Sequence, residues 1–415
     1  LSNDTSHSGK HLKVSLEDIM LAEKIIKPYI QATPLGYSAN ASLVVGHEVF
    51  IKFENFQTTG SFKIRGAANK LSSLTEGERK KGVIAASAGN HAQGVACIAQ
   101  KLGIKATIVM PEQSPLIKIT STRRFGANVI LHGQAYDEAY LHALELQKKF
   151  DYTFVHPFED EKIIAGQGTL GLEIFKECPD ADSIFISVGG GGLLAGVATA
   201  LKALNPNIKI IGVQASGAES MARSFHDHKV LLEPSKVSTI ADGIAVKRPS
   251  AHMYEDFISK LCDDFLTVSE DEIAEAIVFL MERAKTVTEG AGAVSLAALM
   301  SKRTKLIGLK KSIALISGGN IDLNIIERVI DRGMQKSGRL VRILVSAPDV
   351  PGSLNKLTQV IAEKRANVLQ VNHNRLGDRL GLRETLIEFT LETTGRDQIE
   401  EIRAAFEALG AKIHS

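Results

Sequence analysis

Ser183-Ile-Phe-Ile-Ser-Val188 runs without a break into Gly189-Gly190-Gly191-Gly192, and Leu193 to Leu204 follows with helical spacing of its apolar residues. A short apolar run, a glycine turn and a helix in that order place backbone N–H groups around one centre at a helix N-terminus. Such a cradle takes an anion, a phosphate above all, without any basic side chain. Gly190-x-Gly192-x-x-Ala195 also fits a loose dinucleotide fingerprint. That fingerprint requires an acidic residue at the end of the next strand, about 20 residues on. No Asp or Glu lies between Asn205 and Ala218, so a lone phosphate fits better than a nicotinamide dinucleotide.

Working outward, the same alternation of apolar run and helix recurs. Strands are predicted at Gly82 to Ala86, Ala106 to Met110, Asn128 to Leu131, Lys209 to Val213 and Ile313 to Ser317. Helices are predicted from Ser15 onward, with Ile19, Ala22, Ile25, Ile26 and Tyr29 on one face, and at Asn90 to Leu102, Pro115 to Phe125 and Ala135 to Phe150. Strands that lack polar alternation and are separated by helices argue for an α/β fold with parallel sheets covered on both faces. Ligands of such sheets lie at the carboxyl ends of the strands, where the glycine clusters fall. The pattern changes at Asp331 to Arg339, a polar, glycine-bearing stretch read as a linker over 331–338. Residues 339–415 then read strand, helix, strand, strand, helix, strand, a ferredoxin-like βαββαβ plan.

Length and composition set the outer bounds. At 415 residues the chain has room for two or three domains. Lys+Arg 49 against Asp+Glu 47 leaves a net charge of +2, which gives no pull toward nucleic acid or an anionic membrane. Cys97, Cys178 and Cys262 form no CxxC and no metal-ligand spacing, so a reducing cytoplasm is the expected setting. No apolar stretch is long enough to span a bilayer. Leu1 to Lys13 is polar and lacks the apolar region of a signal peptide. Residues 1–14 read as a flexible tail, and the missing initial Met is expected to reflect processing or trimming of the start. His226-Asp227-His228 reads as a surface turn, since no third ligand is in view.

Three further segments set polar residues beside glycine: Thr59-Gly60-Ser61-Phe62-Lys63-Ile64-Arg65-Gly66, Ser87-Ala88-Gly89-Asn90-His91 and Ser317-Gly318-Gly319-Asn320. Together with the glycine loop, and with the run from Lys52 to Gly66, they resemble the fold-type-II pyridoxal-phosphate enzymes, the tryptophan-synthase-β-like group, and within it the serine/threonine dehydratases. The resemblance covers residues 15–330, with a smaller lobe at about 57–154. It implies a two-lobed enzyme with pyridoxal 5'-phosphate between the lobes. It implies Lys63 as the lysine that holds the cofactor aldehyde and takes the substrate's Cα proton, with Phe62 against the pyridine ring and Asn90 on the ring hydroxyl. Gly189, Gly190, Gly191, Gly192 and Leu193 would hold the phosphate. Ser87, Ala88, Gly89, Asn90 and His91 would receive the substrate carboxylate, the imidazole of His91 being open to a structural role instead. Ser317 would face the pyridine nitrogen. A hydroxyl there does not stabilise a protonated ring, which favours prompt loss of a β-substituent, so α,β-elimination of water from L-threonine or L-serine is the expected reaction.

Two features separate this chain from the serine racemases of the same scaffold. Their second acid is a serine where Ala88 stands, so racemisation is expected to be weak. Their acidic divalent-metal ligands correspond to Gln214, Ala218 and Ser220, which carry no carboxylate. Divalent cations favour carboxylate oxygens, so no divalent metal is expected, while a monovalent cation on carbonyl oxygens stays open. Residues 339–415 resemble an ACT domain, with Pro348 to Leu354 as its first loop. ACT units in this family often take an amino-acid effector between two copies, and isoleucine control of biosynthetic threonine dehydratases is the precedent. A homodimer or homotetramer is the expected assembly. Serine dehydratase, serine racemase and threo-3-hydroxyaspartate dehydratase are the alternatives on the scaffold.

Overall fold

A computed structural model describes residues 13–414 except 232, 234, 235, 305, 376–380 and 382. Twelve residues of the expected tail therefore lie outside the described residues. Its last two do not behave as a tail. The Lys13 N–H donates to Glu161 Oε1 at 3.1 Å, and Val14 packs against the core.

The chain divides into two compact units, Leu1–Leu323 and Asn324–Ser415. The first holds two sheets. The larger has the order Leu35–Tyr37, Glu48–Phe53, Lys311–Ile316, Ser183–Ser187, Lys209–Ala215, Asp264–Val268. Only the edge strand Leu35–Tyr37 is antiparallel to its neighbour. The smaller sheet is all parallel, in the order Asn128–Leu131, Ala106–Met110, Val83–Ala86, Thr153–Phe154. Val83–Ala86, Ala106–Met110 and Ser183–Ser187 are buried at every position. Continuous apolar runs mark strands covered on both faces.

Two elements are hidden in the sequence. Strand Glu48–Phe53 carries Lys52, a residue type that seldom lies in a core, yet Lys52 is fully buried. Helix Glu161–Glu177 contains Gly166, Gly168 and Gly171, which read as breakers. They instead let it close on helix Gly192–Leu204. A Cβ on Gly168 would sit 2.9 Å from the Gly196 carbonyl, and one on Gly171 2.9 Å from that of Val197.

The second unit is an antiparallel sheet in the order Asn367–Asn374, Glu384–Glu392, Leu340–Pro348, Lys412–His414. Helices Ser353–Glu363 and Arg396–Ala408 complete the βαββαβ plan. Ile343, Val345, Leu357, Phe389, Ile402 and Phe406 form its core. The predicted linker 331–338 needs correction, because Asp331 to Lys336 form the last turns of helix Leu323–Lys336. Ile326, Val329, Ile330, Gly333 and Met334 recur at helical spacing, and burial of Val329 and Gly333 outweighs the helix-breaking tendency of a single glycine. Among the described residues, no helix is long and apolar enough to cross a membrane.

Candidate active site

Four loops meet at the carboxyl ends of the strands in the first unit. Residues 54–62 follow strand Glu48–Phe53 and lead into helix Lys63–Ser72. Ser87 to Gly89 join strand Val83–Ala86 to helix Asn90–Leu102, and the glycine loop joins Ser183–Ser187 to Gly192–Leu204. Ser317 to Asn320 leave strand Lys311–Ile316. The first and last loops are zipped together. Ser61 and Gly318 form an isolated antiparallel bridge, Phe62 N–H donates to the Ser317 carbonyl at 3.1 Å, and Gly319 N–H to that of Gly60 at 2.9 Å.

Lys63 opens its helix, with Phe62 at the N-cap position. Its Nζ donates to the Pro157 carbonyl at 2.9 Å and stands 5.2 Å from the centre of the Phe62 ring. Burial pushes the amine down to about 8, against the opposing charge of Glu289. A lysine in that range yields a free amine near neutral pH, as a nucleophile or base must.

Glu289 is the residue that the motifs do not reveal. It directly precedes helix Gly290–Ser301 and is buried. Its Oε1 accepts from Asn90 Nδ2 at 2.6 Å. Burial and the charge of Asp242 raise its carboxyl to about 7, although Asn90, Lys118 and Lys63 oppose the shift. Only the Glu-Gly step before a helix of small residues could have pointed to it. Ser317 is buried; its Oγ accepts from Ser187 Oγ at 3.0 Å and donates to the Ala291 carbonyl at 3.3 Å.

His91 is buried with Nε2 2.9 Å from the Val155 carbonyl. Burial drives its imidazole down to about 3, helped by the Lys63 charge. It is neutral, and it tethers the segment whose next residues include the acceptor of Lys63. Of the loop 87–91, Ser87 Oγ accepts from Gly89 N–H at 3.2 Å, while Ala88 packs on the core beside the smaller sheet. Gln214 is buried and accepts from Ala222 N–H at 2.8 Å. Among the described residues, no group of three or more His, Cys, Asp and Glu is placed to hold a metal ion.

The site fits a phosphorylated pyridine. Gly190, Gly191, Gly192 and Leu193 are buried, and among the described residues the backbone N–H groups of 189–193 find no acceptor. Buried donors in such a run call for an anion. A Cβ on Gly190 would collide with the Phe158 ring, and one on Gly192 would lie 2.9 Å from Phe158 Cβ. Phe158 thus packs directly against the loop, which has no room for a side chain at Gly190 or Gly192. Among the described residues, the hydroxyls of Ser61 and Thr59 are also buried without a partner, ready for a polar guest.

Comparison with known proteins agrees. Residues 26–318 match the family model described as pyridoxal-phosphate dependent enzyme, and residues 341–411 match that of the ACT domain. An L-threonine ammonia-lyase of Thermotoga maritima is 49% identical over 400 residues, covering 96% of this chain and 99% of that protein. The processed form of threonine deaminase isoform 2 from Solanum lycopersicum superposes with a TM-score of 0.72 at 38% identity, over 80% of this chain and 93% of its own. Maize serine racemase superposes at 0.73 with 32% identity, over 78% and 98%. The chain belongs to the pyridoxal-phosphate dependent enzymes, and its C-terminal unit is an ACT domain.

Proposed function

We propose that the chain is a threonine ammonia-lyase, which removes water from L-threonine, and from L-serine in the same way, to give a 2-oxo acid and ammonia. One observation carries this reading. The lysine with depressed proton affinity lies at a site that also offers an anion cradle and a neutral hydroxyl at Ser317, with no carboxylate at that position. Bound there, the cofactor supplies the electron sink that acidifies the substrate's Cα–H. The glycine loop and Leu193 would hold its phosphate, Phe62 its ring face, Asn90 its hydroxyl and Ser317 its nitrogen. Residues 87–91 receive the substrate carboxylate at a helix N-terminus, which favours an anion. Lys63 Nζ takes the Cα proton, the β-hydroxyl leaves as water, and the released unsaturated amine hydrolyses to 2-oxobutanoate, or to pyruvate from serine, with ammonia.

Maize serine racemase invites racemisation as a second reading. Ala88 speaks against it, because a methyl group has no proton to give to the opposite face of Cα. The ACT domain is regulatory in this proposal and takes an amino-acid effector, in a cytoplasmic homodimer or homotetramer. Adding pyridoxal phosphate to cofactor-free protein should produce a visible absorbance band. L-Threonine should then change that band as 2-oxobutanoate and ammonia appear, and Lys63→Ala should do neither. No band in the wild type would overturn the cofactor assignment. D-Serine from L-serine in place of pyruvate would establish the racemase. An isoleucine titration that moves neither activity nor melting temperature would remove isoleucine as effector.

A further inference from the structure

Asn320 closes the last of the four motifs, and the proposed reaction gives it no task. It is nevertheless held at two points. Its Nδ2 lies 2.7 Å from the Thr59 carbonyl and 2.7 Å from Asn90 Oδ1. A carbonyl can only accept, so the atom facing Thr59 must be the amide nitrogen. That nitrogen has two hydrogens, and the second reaches Asn90. The Asn90 atom facing it must therefore be oxygen. This leaves the Asn90 NH₂ pointing the other way, toward Glu289 Oε1 at 2.6 Å. The chain has one consistent direction: it begins at a main-chain carbonyl that cannot change role, and it ends at a carboxylate.

The backbone is shaped around this chain. Thr59, a β-branched residue, adopts φ +117, a conformation such residues rarely tolerate. A Cβ on Gly60 would meet the Asn320 side-chain amide, and one on Gly318 would collide with Glu289 Oε1. A methyl at either glycine would thus push the relay's side chains out of place.

We propose that Asn320 is a positioning residue: through the chain from the Thr59 carbonyl to Asn320, Asn90 and Glu289 it fixes the Asn90 amide so that the site is offered an N–H donor and not a carbonyl oxygen. This rests on the reading above that Asn90 meets the ring hydroxyl of pyridoxal phosphate. A donor there favours the deprotonated oxygen. A flipped amide would present an acceptor and lose that preference.

The test measures the dissociation constant of pyridoxal phosphate from cofactor-free protein, and the pH midpoint of the visible band. Asn320→Asp keeps the size but can no longer donate to Thr59 or Asn90. It is expected to weaken cofactor binding about tenfold and to move the midpoint upward. Asn320→Ala is expected to weaken binding in the wild-type background, yet to add less than about twofold once Asn90→Ala is present, because residues acting as a unit are not additive. The two substitutions differ in size, so the test survives if one of them does not fold. Additive losses in the double variant, or Asn320→Asp with wild-type constant and midpoint, would overturn the relay alone. Wild-type protein that binds no pyridoxal phosphate would overturn the cofactor reading beneath it.

Discussion

Lys63 and Arg65 stand two residues apart on the first turn of one helix, and each feels the charge of a buried glutamate. The outcomes are opposite. Around Arg65 every charge is answered. Its Nε and Nη2 both donate to Glu54 at 2.8 Å, and Nη1 and Nη2 to Glu173 at 2.7 and 3.0 Å. Lys52 Nζ joins Glu173 at 3.1 Å and Glu177 at 2.8 Å. Burial alone would raise Glu54, but the Arg65 charge and hydrogen bond, with the Thr33 hydroxyl and the Lys52 charge, together outweigh it and hold the carboxyl below its ordinary range. Arg65 is raised against its own burial, chiefly by Glu54. Closed pairing drives both groups away from neutral pH, and the cluster is fixed scaffold. Around Lys63 burial wins, with Nζ donating to a main-chain carbonyl. Its amine falls to about 8 and the Glu289 carboxyl rises to about 7. Incomplete pairing draws proton affinities toward neutrality, where a proton can be exchanged.

The largest effect should come from removing the reactive amine. Lys63→Ala is expected to cut turnover about ten-thousand-fold while the cofactor-free protein melts no lower than wild type, both read on one preparation. Glu54→Gln should do the reverse. It takes one of two carboxylates from a buried guanidinium and leaves it Glu173 alone, at a cost toward the lower end of about 3–5 kcal/mol, seen in urea unfolding, while each folded, loaded molecule keeps its kcat. Gly190→Ala pushes a methyl against Phe158 and should weaken pyridoxal phosphate binding about tenfold, in line with overpacking costs of about 1–3 kcal/mol.

Titration sharpens the contrast further. Between 4.5 and about 7 the folded chain keeps the Glu289 proton that the unfolded chain releases, so cofactor-free protein loses stability as pH rises across that window. Between about 8 and 10.5 the unfolded chain holds the Lys63 proton that the folded chain has lost, and stability is regained. Melting curves of wild type and Glu289→Gln should diverge across the first window, and curves parallel at every pH would deny Glu289 its raised affinity. The smallest effect is expected from Ala88→Ser, which should add a trace of D-serine detectable by chiral chromatography while elimination stays dominant.

The parallel sheets were legible because their inner strands are near-continuous apolar runs, and the βαββαβ unit because strands such as Glu384–Glu392 alternate apolar and polar residues around two amphipathic helices. Strand Glu48–Phe53 was not, since Lys52 looks exposed until Glu173 and Glu177 are brought to it across more than a hundred residues. The same distance hid half of the site. Lys63, Asn90 and Ser317 stand in recognisable motifs, whereas Glu289 and Phe158 gain meaning only from what they touch. Asn320 stood in plain view, but its task depends on a hydrogen bond to Thr59 that spacing does not encode. The linker reading at 331–338 failed for a local reason, since polar residues on the outer face of an amphipathic helix look like a loop.

Strand Lys311–Ile316 lies between Glu48–Phe53 and Ser183–Ser187, at the centre of the larger sheet. It is also the last strand of its unit to leave the ribosome. Until it emerges, a nascent chain has two half-sheets and a vacant slot, and the loop that carries Ser317 and Asn320 does not yet exist. The site is therefore complete only once the whole catalytic unit has been synthesised. A chain stopped short of residue 311 would expose two unpaired inner strand edges, the surfaces on which aggregation begins.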